Sequence, residues 1–272
     1  VVARLIPGTD RGRWLVIGLC VFALILVVGA VEDRWRFRRF RGRAVRLDPV
    51  PVPWAAAGRL ALACFWLFGA ALTIAAITGR DVIPGLLVAC PMMLVGWQAV
   101  QLGWPRRRDA GAELVARLHG IRGRLAGSAN VAVTLAGSGF VGKVAADLVP
   151  AAELAEVLRI DALPDFVLLS LIPPLLAAMS MLALSPIMTA VFFGSLFGAL
   201  PVLPADATLI AFSISCGWGL SMVIAPVSTP VLLINRGAGL PAREISLGWN
   251  TGFAVISALA MVPVFWVLTG GS

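Results

Sequence analysis

Two short stretches, Leu184-Ser185-Pro186-Ile187-Met188-Thr189 and Ala225-Pro226-Val227-Ser228-Thr229-Pro230, interrupt sequence that is otherwise apolar enough to be helix inside a membrane. Each contains proline, which has no N–H to donate, and small hydroxyl residues that compete for backbone hydrogen bonds. Lipid offers no partner to a freed N–H or C=O. Irregular backbone at membrane depth therefore persists only where protein buries it or where it lines a wet cavity. Two such interruptions in close succession are the pattern of a solute site built from discontinuous helices.

Composition agrees with a membrane setting. The 272 residues are 60% hydrophobic and 13% charged, more apolar surface than one soluble domain can hide. The chain reads as an all-α polytopic membrane protein. Its net charge of +8 comes almost wholly from arginines in the loops between apolar runs. That is the positive-inside pattern, and it argues against nucleic acid as a partner. Cys20, Cys64, Cys90 and Cys216 each stand alone in a different apolar stretch, with no CxxC pair and no neighbouring histidine, so they read as reduced packing residues with no metal. The first apolar run, Trp14 to Ala30, follows Arg4, Arg11 and Arg13 and ends in Glu32-Asp33-Arg34, so it reads as a retained span and not a signal peptide.

A crossing needs roughly 20 apolar residues. Trp14 to Ala30, Trp54 to Thr78 and Val82 to Trp104 supply the first three, with interfacial tryptophans at their ends. The loop after the first, Arg34 to Arg43, alternates arginine with aromatics and suits anionic headgroups. After the third, Leu114, Leu118, Ile121 and Leu125 recur at helical spacing with Glu113 and Arg117 paired at i,i+4. This predicts an amphipathic arm along the cytoplasmic interface, with His119 on its surface. Asn130 to Pro150 is a fourth span, interrupted at Gly137-Ser138-Gly139, in which Lys143 and Asp147 stand at a spacing that lets them pair. Ala151 to Asp165 is an acidic outer loop.

Phe166 to Pro201 decides the architecture. Its second limb, Thr189 to Pro201, has 13 residues, which at about 1.5 Å each reach roughly 20 Å of a core about 30 Å thick. A re-entrant hairpin (166–201) with its tip at Ser185-Pro186 fits that length. A broken helix (206–235) then crosses once as two half-helices joined at Ala225 to Thr229, and Ile245 to Leu268 crosses last. The expected architecture is about six membrane-crossing helices, one re-entrant hairpin, one broken helix and the interfacial arm. It falls into 1–53, 54–125 and 126–272: a preceding span with its basic loop, a scaffold-like part, and a transport-like part. Cytoplasmic loops then carry seven, six and two arginines (34–46, 106–124, 236–243), against three, one and one outside (4–13, Arg80, Arg159). Both termini lie outside, in a cytoplasmic or inner membrane.

A helix that stops in the membrane leaves its last carbonyls and the next helix's first N–H groups without partners, aimed at the break. Carbonyls in that position hold Na⁺ and amides hold anions. The candidate binding residues are Ser185, Pro186 and Thr189 at the tip, and Ala225, Pro226, Ser228 and Thr229 at the break. All four hydroxyls are expected to meet at mid-membrane, with the carbonyls around Pro226 turned toward them. Asn235 and Asn250 are secondary polar candidates, and Gly217 and Gly219 allow close packing against the hairpin.

In its element order, residues 54 to 268 resemble the C-terminal inverted repeat of the ion transporter superfamily, which includes divalent anion/sodium symporters, citrate carriers and arsenical pump proteins. Ala225 to Gly237 looks like that family's unwound loop running into a half-helix. Leu184 to Ala190 sits where its hairpin tip carries a Ser-Asn-Thr type signature, although here the asparagine is absent and Pro186 follows the serine. The resemblance implies a second repeat of opposite topology. On that view the chain from Val1 is the C-terminal half of a longer protein, or takes a partner half from another polypeptide, with a homodimer of the full-length chain as the assembly.

The function expected is secondary active transport of a small anionic solute, coupled to Na⁺ or H⁺, by an elevator-like motion, with no bound cofactor beyond Na⁺ as the candidate coupling ion. The chain is not expected to be an enzyme. A lipid-modifying enzyme needs a nucleophile, base or metal constellation, and the sequence offers one histidine, no clustered carboxylates and no cysteine pair. A non-catalytic membrane subunit is the other alternative, and it predicts unbroken helices.

Overall fold

A computed structural model describes residues 2–36, 38, 54–79, 82–103, 109–157, 160–182 and 184–271. Among them are helices and turns and no strand. The helices are α1 (Val2–Leu5), α2 (Arg11–Arg36), α3 (Trp54–Thr78), α4 (Val82–Gln101), α5 (Ala110–Leu148), α6 (Ala151–Val157), α7 (Asp165–Met181), α8 (Pro186–Gly198), α9 (Ala207–Ile224), α10 (Thr229–Ala238) and α11 (Thr251–Leu268). A 3₁₀ turn spans Ile160–Ala162 and a π-helical turn Glu244–Trp249.

Five stretches are long and apolar enough to cross a membrane among the described residues: Arg11–Arg36, Trp54–Thr78, Pro84–Gln101, Ala207–Ala238 and Thr251–Leu268. The chain is thus a helical, membrane-embedded protein. The fourth of these counts α9 and α10 as one apolar run, although the backbone leaves the helix between Ile224 and Thr229. The span expected at Asn130 to Pro150 is not among the five. It is the second part of α5, which has no break at Gly137-Ser138-Gly139 and no turn separating it from the expected arm. Glycine costs about 1 kcal/mol in a helix but keeps its N–H, and no proline lies between Pro105 and Pro150 to force an end. Lys143 and Asp147 pair at 2.6 Å, as their spacing predicts. The acidic outer loop contains α6 and the 3₁₀ turn.

The chain forms two compact units, Val1–Arg43 with Ala132–Ser272, and Ala44–Val131. In the second unit α3 and α4 pack at a point where Gly85 lies against the Ala71 carbonyl, and Arg117 on α5 bonds Glu113 at 2.8 Å and Gln98 at 3.3 Å.

The first unit is built around α7 and α9, which run parallel. Ser213 meets Leu169, Gly217 meets Pro173 and Leu176, and Leu220 and Ile224 pack with Ala177. Chain α11 runs the other way: Phe265 meets Phe212 near the start of α9, and Ala254 joins Ile224 near its end. Helix α2 is parallel to α9, with Arg13 beside Asp206 at one end and Gly29 against Phe253 toward the other. Within lipid, close packing of this kind and not the expulsion of water holds helices together.

Three prolines show how local chemistry and packing share control. Pro173 and Pro174 lie inside α7 without ending it. Pro173 leaves the Leu169 carbonyl without its helical donor, and Ser213 Oγ from α9 donates to it at 2.6 Å. Gly217 makes that approach feasible, since a Cβ there would stand 3.0 Å from Leu176 and 3.1 Å from Pro173. Pro186, by contrast, starts α8 at a position where its missing N–H costs nothing.

The residues before Trp14 are more than a loop. Val2 and Ile6 are buried, and Leu5 lies against Gly194 and Gly198 of α8. The Asp10 amide donates to Thr208 Oγ1 at 3.0 Å, tying this hook to the start of α9. Asp206 caps that start by accepting from the amides of Thr208 and Leu209.

Candidate solute site at the hairpin tip and the helix break

The break after α9 follows from Pro226. Proline disfavours helical geometry in the residue before it, and Ala225 is extended at φ −74°, ψ 124°. Pro226 also withholds the N–H that the Met222 carbonyl would have received. Ser228 Oγ donates there instead, at 2.8 Å. The next carbonyl, Val223, accepts from Asn250 Nδ2 at 3.0 Å. The Ala225 amide still reaches Ser221 at 2.9 Å, and the Ser228 amide closes a turn onto Ala225 at 3.0 Å. Helix α10 then begins at Thr229 with Pro230 in its first turn and ends where Gly239 turns left-handed at φ +68°.

The tip has the same logic. Ser185, before Pro186, is extended at φ −61°, ψ 132°, and makes no side-chain cap. Thr189 Oγ1 donates to the Pro186 carbonyl at 3.1 Å, within the first turn of α8. Pro186, Thr189, Ala225 and Ser228 are buried, Ser185 and Pro226 are half-buried, and Thr229 is exposed.

Because α7 and α9 are parallel and in register from Leu169–Ser213 to Ala177–Ile224, the tip that follows α7 and the break that follows α9 lie at the same end of the unit. No hydrogen bond joins Ser185 or Thr189 to Ser228 or Thr229 among the described residues. Each hydroxyl proton that is committed points at its own segment's backbone. A hydroxyl has two lone pairs besides its proton, so Thr189 and Ser228 remain acceptors toward whatever lies beside them.

One expectation needs correction. The carbonyls of Met222 and Val223, just before Pro226, are bound within the protein and are not left bare. Asn250, which binds Val223, directly follows Gly248 and Trp249, whose carbonyls are held by Arg36 of α2, and a Cβ on Gly252 would stand 3.2 Å from Glu32 Oε1. The end of α9 is thus tied through Asn250 to the charged end of α2.

Of the two asparagines, Asn250 closes the Val223 carbonyl beside the break, and Asn235 donates to the Leu240 carbonyl and closes the far end of α10. Three serines have no place in the sequence reading. Ser213 bridges to α7, Ser221 Oγ donates to Gly217 at 2.8 Å one turn before the break, and Ser180, fully buried in the last turn of α7, has a hydroxyl with no partner among the described residues. Ser213 and Leu169 are 44 residues apart, and no spacing rule connects them. Two apolar grooves of about 430 and 350 Å³ flank α7, and neither is lined by the tip or break hydroxyls.

No protein-family model, curated protein or solved structure matches the chain.

Proposed function

We propose that this chain is the membrane part of a secondary transporter that moves a small anionic solute, coupled to Na⁺ or H⁺, by an elevator-like motion of the α7–α8 hairpin and the broken α9–α10 helix. The observation that supports this reading is that two helix interruptions follow the same end of the parallel α7–α9 pair. Two helices, α8 and α10, begin there, and helix starts favour negative charge. The lone pairs of Thr189 and Ser228, with their protons already committed, suit a small hard cation beside it. The protein works in the cytoplasmic or inner membrane, as a homodimer of a longer chain or with a partner half.

A second reading, a membrane subunit that transports nothing, draws on the capping of Met222 and Val223 by Ser228 and Asn250. A break whose carbonyls are satisfied internally needs no ligand to exist.

Uptake by proteoliposomes of a panel of small anions, with and without Na⁺, separates the two. Transport predicts uptake of at least one anion and an affinity for solute or ion reduced about tenfold or more by Thr189→Ala or Thr229→Ala, with folding intact. A folded protein that takes up no anion, and whose melting temperature does not respond to Na⁺, supports the subunit reading.

A further inference from the structure

We infer that Arg36 is a positioning residue for the helix break, acting as a latch through two intermediaries and touching neither Pro226 nor Ser228. The π-helical turn Glu244–Trp249 departs from α-helical pairing, and its last carbonyls look for other donors. Leu247 receives Thr251 Oγ1 at 2.7 Å. The next two, Gly248 and Trp249, receive the two terminal nitrogens of Arg36. A guanidinium presents parallel N–H groups in one plane, so it can hold two successive carbonyls where an ammonium holds one.

Glu32, one turn earlier on α2 and largely buried, bonds Arg36 Nη1 at 3.1 Å and fixes the fork. Gly252 leaves room for both: a Cβ there would stand 3.2 Å from Glu32 Oε1 and 3.4 Å from Arg36 Nη1. The residue immediately after the held carbonyls is Asn250, and its amide nitrogen closes the Val223 carbonyl at the end of α9. The path from Glu32 to Arg36, to Gly248 and Trp249, to Asn250 and to Val223 consists of hydrogen bonds and one stretch of three consecutive residues. The end of α2 thereby sets where α11 begins and how α9 ends.

The latch concerns the same break as the transport reading but holds whether or not a solute binds there, and its test uses none. Hydrogen exchange followed by mass spectrometry on the full chain in detergent micelles compares wild type with Arg36→Ala, Arg36→Lys and Glu32→Gln. The expected result is amide exchange over 225–232 about tenfold faster in Arg36→Ala, while 208–215 in the same helix α9 is unchanged. Arg36→Lys should recover less than half of the lost protection, because it restores the charge without the fork. Glu32→Gln should give a smaller rise. Unchanged exchange at 225–232, or an equal rise across 208–232, overturns the latch. If Arg36→Ala is recovered unfolded, wild-type exchange at 225–232 in Arg36→Lys overturns it equally.

Discussion

Pro173 and Pro226 pose the same problem to the backbone and receive opposite solutions. Each deprives the carbonyl four residues earlier of its helical donor, and at each a serine hydroxyl fills the gap: Ser213 for Leu169, Ser228 for Met222. Ser213 comes from a neighbouring helix, so α7 need not change course and continues through both of its prolines. Ser228 lies six residues after Met222 in the same chain, so it reaches back only if the chain leaves the helix and turns. Here the helix with an outside donor continues, and the one that must serve itself breaks. What differs is whether a packed neighbour can come close, and Gly217 is what lets α9 approach α7.

The comparison breaks most severely at Gly217. Gly217→Leu places carbon where Leu176 and Pro173 already stand, and the α7–α9 pair should lose about 3 kcal/mol, read as a lowered midpoint in thermal or denaturant unfolding in detergent. A midpoint within error of wild type would mean that α9 does not need its closeness to α7. Ser213→Ala removes the outside donor alone, with an expected cost of about 1 kcal/mol and faster amide exchange in the middle of α7. Ser228→Ala should cost less, about 0.5 kcal/mol, because Met222 is half-buried and water can reach its carbonyl once the hydroxyl is gone. If the Ser228 change cost more than the Ser213 change, the ranking of outside over local donors would be reversed. An effect of opposite sign is expected for Pro226→Ala, about 0.5 kcal/mol of added stability. With an N–H restored opposite Met222, α9 should extend, and exchange at 225–229 should slow.

Much of this was legible in order along the chain. Ser185-Pro186 and Ala225-Pro226 announce their interruptions because the residue before a proline is pushed out of helical geometry whatever surrounds it. The boundaries of α3 fell where Trp54 and Thr78 place them. The expectation of bare carbonyls at the break was the part that misled. From sequence, Met222 and Val223 lose partners at Pro226, but nothing near them names Asn250, 27 residues on, as the donor to Val223. Gly137-Ser138-Gly139 misled in the other direction, since glycine weakens a helix without obliging it to end.

Sequence by itself determined that the chain is helical and membrane-embedded and where Pro186 and Pro226 interrupt it, because these depend on composition and on hydrogen-bond inventories within a few residues. Only the tertiary structure decided that α7 survives two prolines while α9 stops at one, that the N-terminal hook seals α8, and that the end of α9 is tied through Asn250 to Glu32 and Arg36. Those outcomes depend on which donor arrives from a distant helix and how closely glycine lets it come. A contact across 44 or 213 residues leaves no period in the sequence to read.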